Sequence, residues 1–474
     1  MSFNTLLLED AGIQLIDGDR GKNYPTQSHF SNKGFCLFLS AKNVTNNGFE
    51  FSDLVFIDKN HDELLRAGKL QRGDIVVTTR GTIGNVALYS DTVPFEHIRI
   101  NSGMIIFRAD ENIWNRNFLY FLLSSEHIKK QIYSLTSGSA VPQLPARDIK
   151  KFELPKIPKK IQDRIDKIIG DLHFKIHLNN QINQTLESIA QAIFKSWFID
   201  FDPVRAKIVA KQEGQDPELA AMCAISGKSE VEIQQMSDDD FTELQATAAL
   251  FPDELVESEL GEVPKGWEIT NINAVTASIF SGGTPSTKEV TYWNGEIPWL
   301  SSGETRNKII VSTEKSITET AVKKSSTKLA IFGDILIASA GQGHTRGQTS
   351  FNAIECYINQ SIVALRANDK VSPYWLYYCL EPRYDEMRSV SDSHSSRGSL
   401  TTKLLASMPV ILPTQKLVVS FDKVIKPMLA QQVKNAKEIK MLADTRDALL
   451  PKLISGDIEV SSSVSETEYE YSAE

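Results

Sequence analysis

Apolar residues recur at intervals of seven in two long stretches of the chain, and this is the clearest pattern in the sequence. The first series is Ile165, Leu172, Asn179, Leu186 and Ile193, and the second, 256 positions later, is Phe421, Met428, Asn435, Leu442 and Leu449. A heptad repeat places such side chains on one face of an α-helix, which must pack against another helix. We therefore predict two long spacer helices, over residues 156–206 and 413–456.

Both predicted helices carry an asparagine in the middle of this apolar face. A buried asparagine loses free energy unless it meets a polar partner, so it selects one register of packing. Asn179 and Asn435 lie close to the midpoints of their segments, and an antiparallel pair of helices would bring them together. We predict that Asn179 faces Asn435 in an antiparallel coiled coil. The other predicted helix-pairing residues are Leu172, Leu186, Met428 and Leu442.

Outside these helices, short apolar runs typical of β-strands alternate with polar loops, and their order repeats. The first half contains QRGDIVVTTRGTIGN and then HIRINSGMIIFRAD, whereas the second contains IFGDILIASAGQGHTRG and then CYINQSIVALRAND. An aromatic-rich amphipathic segment and a Leu-Pro boundary follow in both halves. An ordered series of matches indicates duplication of a whole domain. The aromatic residues of these segments fit core packing better than base stacking.

The predicted fold class is therefore α+β, with two duplicated mixed α/β domains separated by two long antiparallel coiled-coil helices in a pseudo-twofold symmetric arrangement. The domains span residues 1–155 and 263–412. A chain of 474 residues is too long for a single core. No secretory signal and no membrane-spanning apolar run is present. The four cysteines are far apart, which favours reduced thiols in a cytoplasm.

Charge is distributed unevenly along the chain. The segment 207–262 carries 14 acidic and 3 basic residues, and the tail 457–474 carries 6 acidic residues and no basic one. Because the whole chain has a net charge of −9, the remainder carries about +8. We interpret 207–262 as an acidic, partly helical and loosely packed insertion, and 457–474 as a disordered acidic tail. A mildly basic body with two acidic appendages is compatible with DNA binding.

Polar, glycine-bearing loops lie at corresponding points of the two halves. Residues 17–25 correspond to 281–288, and residues 78–85 correspond to 339–347. Glycine allows close approach to a phosphate, while Arg, Gln, Asn, Thr and Ser donate hydrogen bonds to phosphates and base edges. The candidate DNA-binding residues are Arg20, Lys22, Arg80, Thr82, Asn85, Thr284, Ser286, Ser302, Glu304, Arg306, Gln342, His344 and Arg346. For each residue alone, a solvated turn is the alternative interpretation.

Signatures of catalysis are weak. The GKS at 227–229 has Met222 where a phosphate-binding loop needs glycine, and the Asp202-Pro203-Val204 triplet lacks the second proline and the aromatic residue of an adenine methyltransferase. His173 and His177 have the spacing of metal ligands on a helix, but Phe174 stands where a zinc protease needs Glu, so a solvated helix face is the preferred interpretation. A nuclease with dispersed carboxylates and a structural coiled-coil scaffold remain as alternative functions.

Four segments resemble the specificity subunit of type I restriction–modification enzymes. They are LESIAQAIFKSWFIDFDPVRAK (186–207), SELGEVPKGWEI (258–269), SGGTPSTKEVTYWNGEIPWLSSGE (281–304) and TRDALLPKLISGDIEV (445–460). The resemblance covers nearly the whole chain in the order recognition domain, helix, recognition domain, helix. Its most specific phrases are IPWL and DFDPVRAK; the first domain lacks the KGWE opening and the IPWL phrase.

The resemblance implies a non-catalytic subunit of a bacterial or archaeal cytoplasmic complex. Each target recognition domain would read one half of a bipartite site in double-stranded DNA. The helices would set the gap between the halves and dock two methyltransferase subunits, which motor–nuclease subunits join. S-adenosylmethionine, ATP and Mg²⁺ would bind to these partners, and this chain would bind no cofactor or metal. Trp197, Phe198 and Phe201 would either contact a partner as large anchors or cap the core of the coiled coil.

Overall fold

The computed structural model describes residues 3–45, 48–136, 143–341, 345–394 and 399–459, without the side chain of His394. The chain forms two compact units. Unit 1 comprises Met1–His177 and Lys440–Glu474, and unit 2 comprises Leu178–Ile439. Gln342, His344 and the predicted acidic tail beyond Glu459 lie outside the described residues. Within the described part of the chain, none of the helices is both long and apolar enough to span a bilayer.

Unit 1 contains two sheets that share a core. Its strands are β1 Thr5–Leu7, β2 Ile13–Asp17, β3 Cys36–Leu39, β4 Val44–Thr45, β5 Gly48–Phe49, β6 Phe56–Ile57, β7 Ile75–Thr78, β8 Val86–Leu88, β9 Ile98–Ile100, β10 Met104–Ala109 and β11 Glu153–Pro155. Its helices are α1 Lys59–Leu64, α2 Arg116–Ser124, α3 Glu126–Leu135, α4 Ala146–Ile149 and the first part of α5 Lys159–Phe198. The sheet orders are β2-β10-β7-β8 and β6-β3-β9, and β1 pairs with β11.

Unit 2 begins with the rest of α5 and an insertion of short helices. The helices are α6 Asp202–Glu213, α7 Pro217–Ser226, α8 Glu230–Gln234, α9 Asp238–Ala248, α10 Glu319–Lys324, α11 Pro373–Leu380, α12 Tyr384–His394, α13 Thr402–Ser407 and the first part of α14 Gln415–Ser455, which belongs to unit 1 from Lys440 onwards. The strands are β12 Leu255–Ser258, β13 Gly261–Pro264, β14 Glu268–Asn271, β15 Thr276–Ser281, β16 Trp293–Leu300, β17 Ile309–Ile310, β18 Lys315–Ile317, β19 Lys328–Ala330, β20 Ile335–Ala338, β21 Thr349–Asn352, β22 Cys356–Ile358, β23 Ile362–Ala367 and β24 Pro409–Leu412.

The strand topology of unit 1 recurs in unit 2, which confirms the predicted duplication. The order β2-β10-β7-β8 matches β15-β23-β20-β21, to which β17 is added, and β6-β3-β9 matches β18-β16-β22, to which β19 is added. Even the parallel pair is repeated, because β3 runs parallel to β9 and β16 runs parallel to β22. The pair β1–β11 likewise corresponds to β14–β24.

The central strands of each unit are apolar on both faces because both faces are covered. In unit 1, Ile75 and Val77 of β7 face a core with α2, whereas Val76 faces a second core with β3 and β9. In unit 2, Ile335 and Ile337 of β20 face α11, whereas Leu336 packs with residues of β16 and β22. A strand that is buried on both faces carries apolar residues at successive positions, without the alternation of apolar and polar residues that a half-exposed strand shows. This explains the continuous apolar runs IVV and ILIA.

The acidic insertion folds as helices α6–α9 followed by the β12–β13 hairpin. Ala221, Met222, Ile233 and Ala248 form a small core of its own. The ammonium of Lys207 is buried and donates to a carboxylate oxygen of Glu218 (2.8 Å) and to the carbonyl of Phe251 (2.9 Å). The insertion is therefore more ordered than its composition suggested.

The two long helices run antiparallel in both units, as predicted. In unit 1, Ile165 and Ile169 of α5 share a core with Leu450 and Leu453 of α14. In unit 2, the side-chain amide of Asn183 donates to the carbonyl of Gln432 (3.2 Å). The predicted limits differ slightly from those observed: α5 ends at Phe198, where a left-handed residue, Phe201 (φ 57°), precedes α6.

The predicted contact between Asn179 and Asn435 is wrong by one helical turn. Both side chains are buried, but Asn179 donates to Glu438 (2.9 Å) and Asn435 donates to Asn183 (2.8 Å). Among the remaining predicted pairing residues, Met428 packs against the core of unit 2, while Leu172, Leu186 and Leu442 are only half-buried. The helices also pack on α2 or α11 of their own unit, so burial follows the 3.6-residue helical period and not a strict heptad.

Of the two interpretations of Trp197, Phe198 and Phe201, the structure supports packing in the protein's own core and contradicts exposed anchors for a partner. Their side chains are 2%, 5% and 4% exposed and lie in the core of unit 2. Trp197 and Phe198 each contact Phe421 of α14, while Phe198 and Phe201 contact Trp267. These aromatic residues therefore fix the end of α5 to its own unit. Tyr120, Phe121, Trp375, Tyr377 and Tyr378 are also buried, as expected for core residues.

Candidate nucleic-acid interface

The glycine-bearing loops of unit 1 meet at one edge of the four-stranded sheet. Strands β2 and β7 end at Asp17 and Thr78, whose register partners Ile105 and Met104 lie at the start of the antiparallel strand β10. The loops 18–23, 79–85 and 101–103 therefore leave the sheet at the same edge. The backbone N–H of Thr79 donates to the carbonyl of Gly103 (2.8 Å), which ties two of these loops together.

Unit 2 builds the same edge from the corresponding strands. The final residues of β15 and β20, Ser281 and Ala338, pair with Val363 and Ile362 at the start of β23. The backbone N–H of Ser339 donates to the carbonyl of Ser361 (2.8 Å). The loops 282–288, 339–341 and 359–361 therefore form a second edge of the same construction. The resulting surface in each unit is called the loop edge below.

Close backbone packing explains one glycine at each loop edge. A Cβ atom on Gly18 would lie 2.2 Å from the carbonyl oxygen of Asn101, and a Cβ atom on Gly282 would lie 1.8 Å from that of Ile358. Real Cβ atoms do not come this close, so any side chain would push the loop away. Glycine here allows the loop to pack against a neighbouring backbone of the same unit, whereas the sequence suggested that it serves the approach of a phosphate.

Four of the predicted residues of unit 1 lie on its loop edge with polar atoms near the surface. Arg20, Lys22 and Thr82 are exposed and Arg80 is half-buried. The Arg20 guanidinium lies 3.4 Å from both the carboxylate of Asp17 and the carbonyl of Ser102. An exposed ion pair of this length is weak and leaves the guanidinium available to a phosphate.

Asn85 and Asp19 have positioning roles at this edge. The Asn85 side chain donates to the carbonyl of Val44 (2.8 Å) and so fastens its loop to β4. Asp19, which sequence reasoning missed, accepts from the backbone N–H groups of Gly21 (2.6 Å) and Arg66 (2.7 Å). Burial raises the pKa of Asp19, but these N–H groups outweigh burial and hold the pKa below its ordinary value. Its ionised carboxylate therefore holds the loop that carries Arg20.

In unit 2, Thr284, Ser286 and Arg306 are exposed on or beside the loop edge, and Ser302 is half-buried. The loop that carries Ser302 and Arg306 follows β16, whose last carbonyl, of Leu300, accepts from the N–H of Asn359 (3.1 Å). Arg306 also pairs with the carboxylate of Glu314 at 2.5 Å, and both side chains are about 59% exposed, so this pair is solvated.

Two predicted DNA contacts of unit 2 are wrong. Glu304 is 3% exposed, and its carboxylate accepts from the N–H of Ser301 (2.9 Å) and of Glu314 (2.8 Å), so it caps its own turn. Arg346 is 8% exposed and pairs with Asp392 at 2.5 Å, so its guanidinium is engaged inside the unit. Gln342 and His344 lie outside the described residues, and their predicted contacts stay predictions.

Of the two histidines on α5, His173 packs against aromatic side chains and His177 is exposed. The ring of His173 lies 5.7 Å from that of Tyr120 and 5.5 Å from that of Phe121, whereas His177 is exposed. Burial, together with the charges of Arg446 and His177, lowers the pKa of His173 to about 4. Among the side chains that the structure describes, no three His, Cys, Asp or Glu residues are grouped as metal ligands.

Comparisons with known proteins agree with this duplicated architecture. Residues 14–188 and 264–441 match the family described as type I restriction modification DNA specificity domain. The chain is 29% identical over 458 residues to the specificity subunit of the type I restriction enzyme HindI from Haemophilus influenzae, covering 93% of this chain and 98% of that protein. It is 22% identical over 393 residues to the MjaIX specificity subunit from Methanocaldococcus jannaschii, covering 82% and 78%.

A solved structure shares the fold. The S subunit of a type I restriction–modification system from M. genitalium superimposes with a TM-score of 0.51 at 14% identity, over 96% of each chain. The family match covers more than half of the chain and includes both units with their duplicated loop edges. The chain therefore belongs to the specificity subunits of type I restriction–modification enzymes.

Proposed function

We propose that this specificity subunit reads a bipartite site in double-stranded DNA, with the loop edge of each unit contacting one half. The observation that carries the proposal is the repeated construction of that edge. The same strand ends, the same glycine-packed loop and the same turn before β10 or β23 occur in both units. A duplicated reading surface suits a site of two separate halves, because each surface contacts only a few base pairs.

The side chains at the loop edges suit DNA in two ways. Arg20, Lys22 and Arg306 would contact phosphates, which position the protein but carry little sequence information. Hydroxyl and amide groups such as those of Thr82 and Thr284 have the hydrogen-bonding capacity to read base edges. The net negative charge of the whole chain does not oppose this proposal, since the acidic residues are concentrated in the insertion and in the C-terminal tail.

Selection from a library of randomised duplex DNA tests the proposal. The full-length chain is expected to enrich two short blocks of defined sequence separated by a fixed gap. The double substitution Arg20→Ala and Lys22→Ala should weaken binding and reduce its salt dependence. Lys160→Ala is the control for loss of a positive charge away from the loop edge, because Lys160 is exposed beside Lys159, which contacts Glu111 at the opposite edge of the same sheet. A single contiguous block, or no enrichment, would contradict the proposal.

We also propose that methyltransferase subunits dock on the exposed flank of the long helices, and that motor–nuclease subunits join through them. Ile182 and Ile189 support this proposal: they are seven residues apart on α5, and 36% and 42% of their surfaces are exposed. Two large apolar side chains on one line of a solvated helix form a short apolar stripe of the kind that a partner helix would cover. The catalytic cofactors, S-adenosylmethionine, ATP and Mg²⁺, would then belong to the partner subunits.

The docking proposal predicts the outcome of a co-purification. Ile182→Asp combined with Ile189→Asp should abolish the complex with the methyltransferase subunit while the chain keeps its own fold. Gln184→Asp is the control, since Gln184 is exposed on the same helix but off the line of the two isoleucines. Equal complex formation by both variants would overturn this docking site and leave the DNA-reading proposal intact.

A further inference from the structure

The turn before β10 in unit 1 (residues 101–103) and the turn before β23 in unit 2 (residues 359–361) contain the same side-chain-to-backbone hydrogen bond. In unit 1 the Asn101 side-chain oxygen accepts from the backbone N–H of Gly103 (2.9 Å). In unit 2 the Asn359 side-chain oxygen accepts from the N–H of Ser361 (3.0 Å). An asparagine that bonds the backbone two residues ahead forms a rigid turn. The residue at the tip of this turn is Ser102 in unit 1 and Gln360 in unit 2.

We call residues 101–103 of unit 1 and 359–361 of unit 2 the central turn, because they lie in the middle of each loop edge. On one side, Gly18 or Gly282 packs its Cα directly against the turn or the residue before it. On the other side, the loop after β7 or β20 bonds to the turn, through Thr79 to Gly103 or through Ser339 to Ser361. The backbone is thus clamped from both sides, and the tip residue is held in the same frame in both units. What differs between the units is the chemistry of its side chain.

The Gln360 side chain is exposed and partly oriented by a neighbour. The hydroxyl of Thr284, on the adjacent loop, donates a hydrogen bond to the carboxamide oxygen of Gln360. A carboxamide presents a donor and an acceptor side by side, and this pattern matches the N7 and N6 groups of adenine in the major groove. Orienting the side chain before binding lowers the entropic cost of forming such a contact. Ser102 presents a short hydroxyl in the equivalent place.

We propose that Gln360 is a base-reading residue of unit 2 that selects an adenine in its half of the DNA site. Ser102 occupies the equivalent reading position of unit 1. The inference rests on the proposed function, since it assigns one residue to one base within a DNA site that the subunit as a whole would read. The central turn contains the same side-chain-to-backbone hydrogen bond in both units, but its middle residue differs. The two units would therefore prefer different bases at this position.

The test is selection by the full-length chain from randomised duplex DNA, with the wild type, Gln360→Ala, Gln360→Glu and Ser102→Ala compared. Gln360→Ala should lose the preference for adenine at one position, on the order of tenfold, and leave the other half-site unchanged. Gln360→Glu should shift that position towards cytosine, because a carboxylate only accepts hydrogen bonds and cytosine offers a donor. Ser102→Ala should change positions only in the other half.

The remaining outcomes overturn the inference in distinguishable ways. If the wild type selects a bipartite site and both Gln360 variants select the same bases at every position, Gln360 does not read a base, but the proposed function stands. A uniform loss of affinity without a change in preference would also overturn base reading. If the wild type selects no bipartite site, the proposed function fails together with this inference. Gln360 is exposed, so its variants should fold, and an unchanged unfolding midpoint would verify this.

Discussion

A buried ion pair in each unit offers the sharpest test of the duplicated fold. In unit 2 the carboxylate of Asp334 accepts from the Nε (2.8 Å) and Nη2 (2.7 Å) of Arg366 and from the backbone N–H of Ile331 (2.9 Å). In unit 1 Asp74 accepts from the same two nitrogens of Arg108 and from the N–H of Gln71. Each pair joins the start of one core strand to the end of its neighbour, at the sheet edge opposite the loop edge.

Replacing Asp334 with asparagine should destabilise unit 2 by about 2–3 kcal/mol. Breaking a fully buried ion pair costs roughly 3–5 kcal/mol, because a charge is left without its partner. The Asp334 side chain is 1% exposed, but that of Arg366 is 35% exposed. Water can therefore solvate part of the arginine charge, and the expected cost falls below the fully buried figure. The substitution also turns one acceptor towards the guanidinium into a donor.

Hydrogen exchange of backbone amides measures this effect in each unit of the intact chain. Asp334→Asn should speed exchange in β20 and leave β7 of unit 1 unchanged, and Asp74→Asn should do the reverse. Asp369→Asn, at an exposed carboxylate, is the control with no expected effect. A change below about 0.5 kcal/mol in the opening free energy of β20, well under the cost of a broken buried ion pair, would show that the Asp334–Arg366 pair does not stabilise unit 2 as described. Equal changes in both units would show that each ion pair does not stabilise its own unit alone.

Three further predictions concern single residues. His173 has a pKa of about 4 in the folded chain, below the ordinary value of 6.5, so the unfolded chain binds the proton first, and unit 1 should lose stability as the pH falls from about 6.5 to 4. His173→Phe should flatten that part of the pH dependence in urea unfolding; an unchanged slope would contradict the assignment. Asn435→Ala should lower the free energy of unfolding by about 1–2 kcal/mol, because it removes the 2.8 Å hydrogen bond to Asn183. An unchanged thermal unfolding midpoint would show that this hydrogen bond between the two long helices does not stabilise the chain. Gly282→Ala should displace its loop and weaken DNA binding through unit 2, whereas binding equal to the wild type would show that the loop tolerates a Cβ atom.

Much of the fold could be predicted from the sequence because its signals are local or repeated. Apolar runs such as 75–78 and 335–338 recur with the same flanks, and the two long helices carry a periodic face. The glycine-bearing loops could be matched between the two halves, but their convergence at one edge follows from the pairing of β2 and β7 with β10, which the sequence alone does not give. The register of the helices could not, because it depends on which polar side chains meet across the seam. Asn183, which is not part of the heptad series, takes the place predicted for Asn179.

The candidate site was harder to predict because exposure depends on tertiary packing. Arg346 and Glu304 lie in loops rich in polar residues, but each is buried by a partner that is distant in sequence or by its own turn. Trp197 has the size of an interface anchor, and only the packing of Phe421 and Phe251 against it shows that it belongs to the core. Asp19 and Asn101 accept hydrogen bonds from backbone N–H groups of their own turns. These positioning roles can be identified only once the geometry of the turns is known.

Sequencing of adenine methylation would reveal whether each unit of the subunit reads one half of a split DNA site. The full-length chain would be co-expressed with the methyltransferase subunit of its own system in a host that lacks this activity, and methylated adenines would be mapped across the host DNA. We expect one split motif of two short blocks around a fixed gap, absent when either protein is omitted. A stable complex that methylates a contiguous motif, or methylates without sequence preference, would contradict the reading of one half-site by each unit.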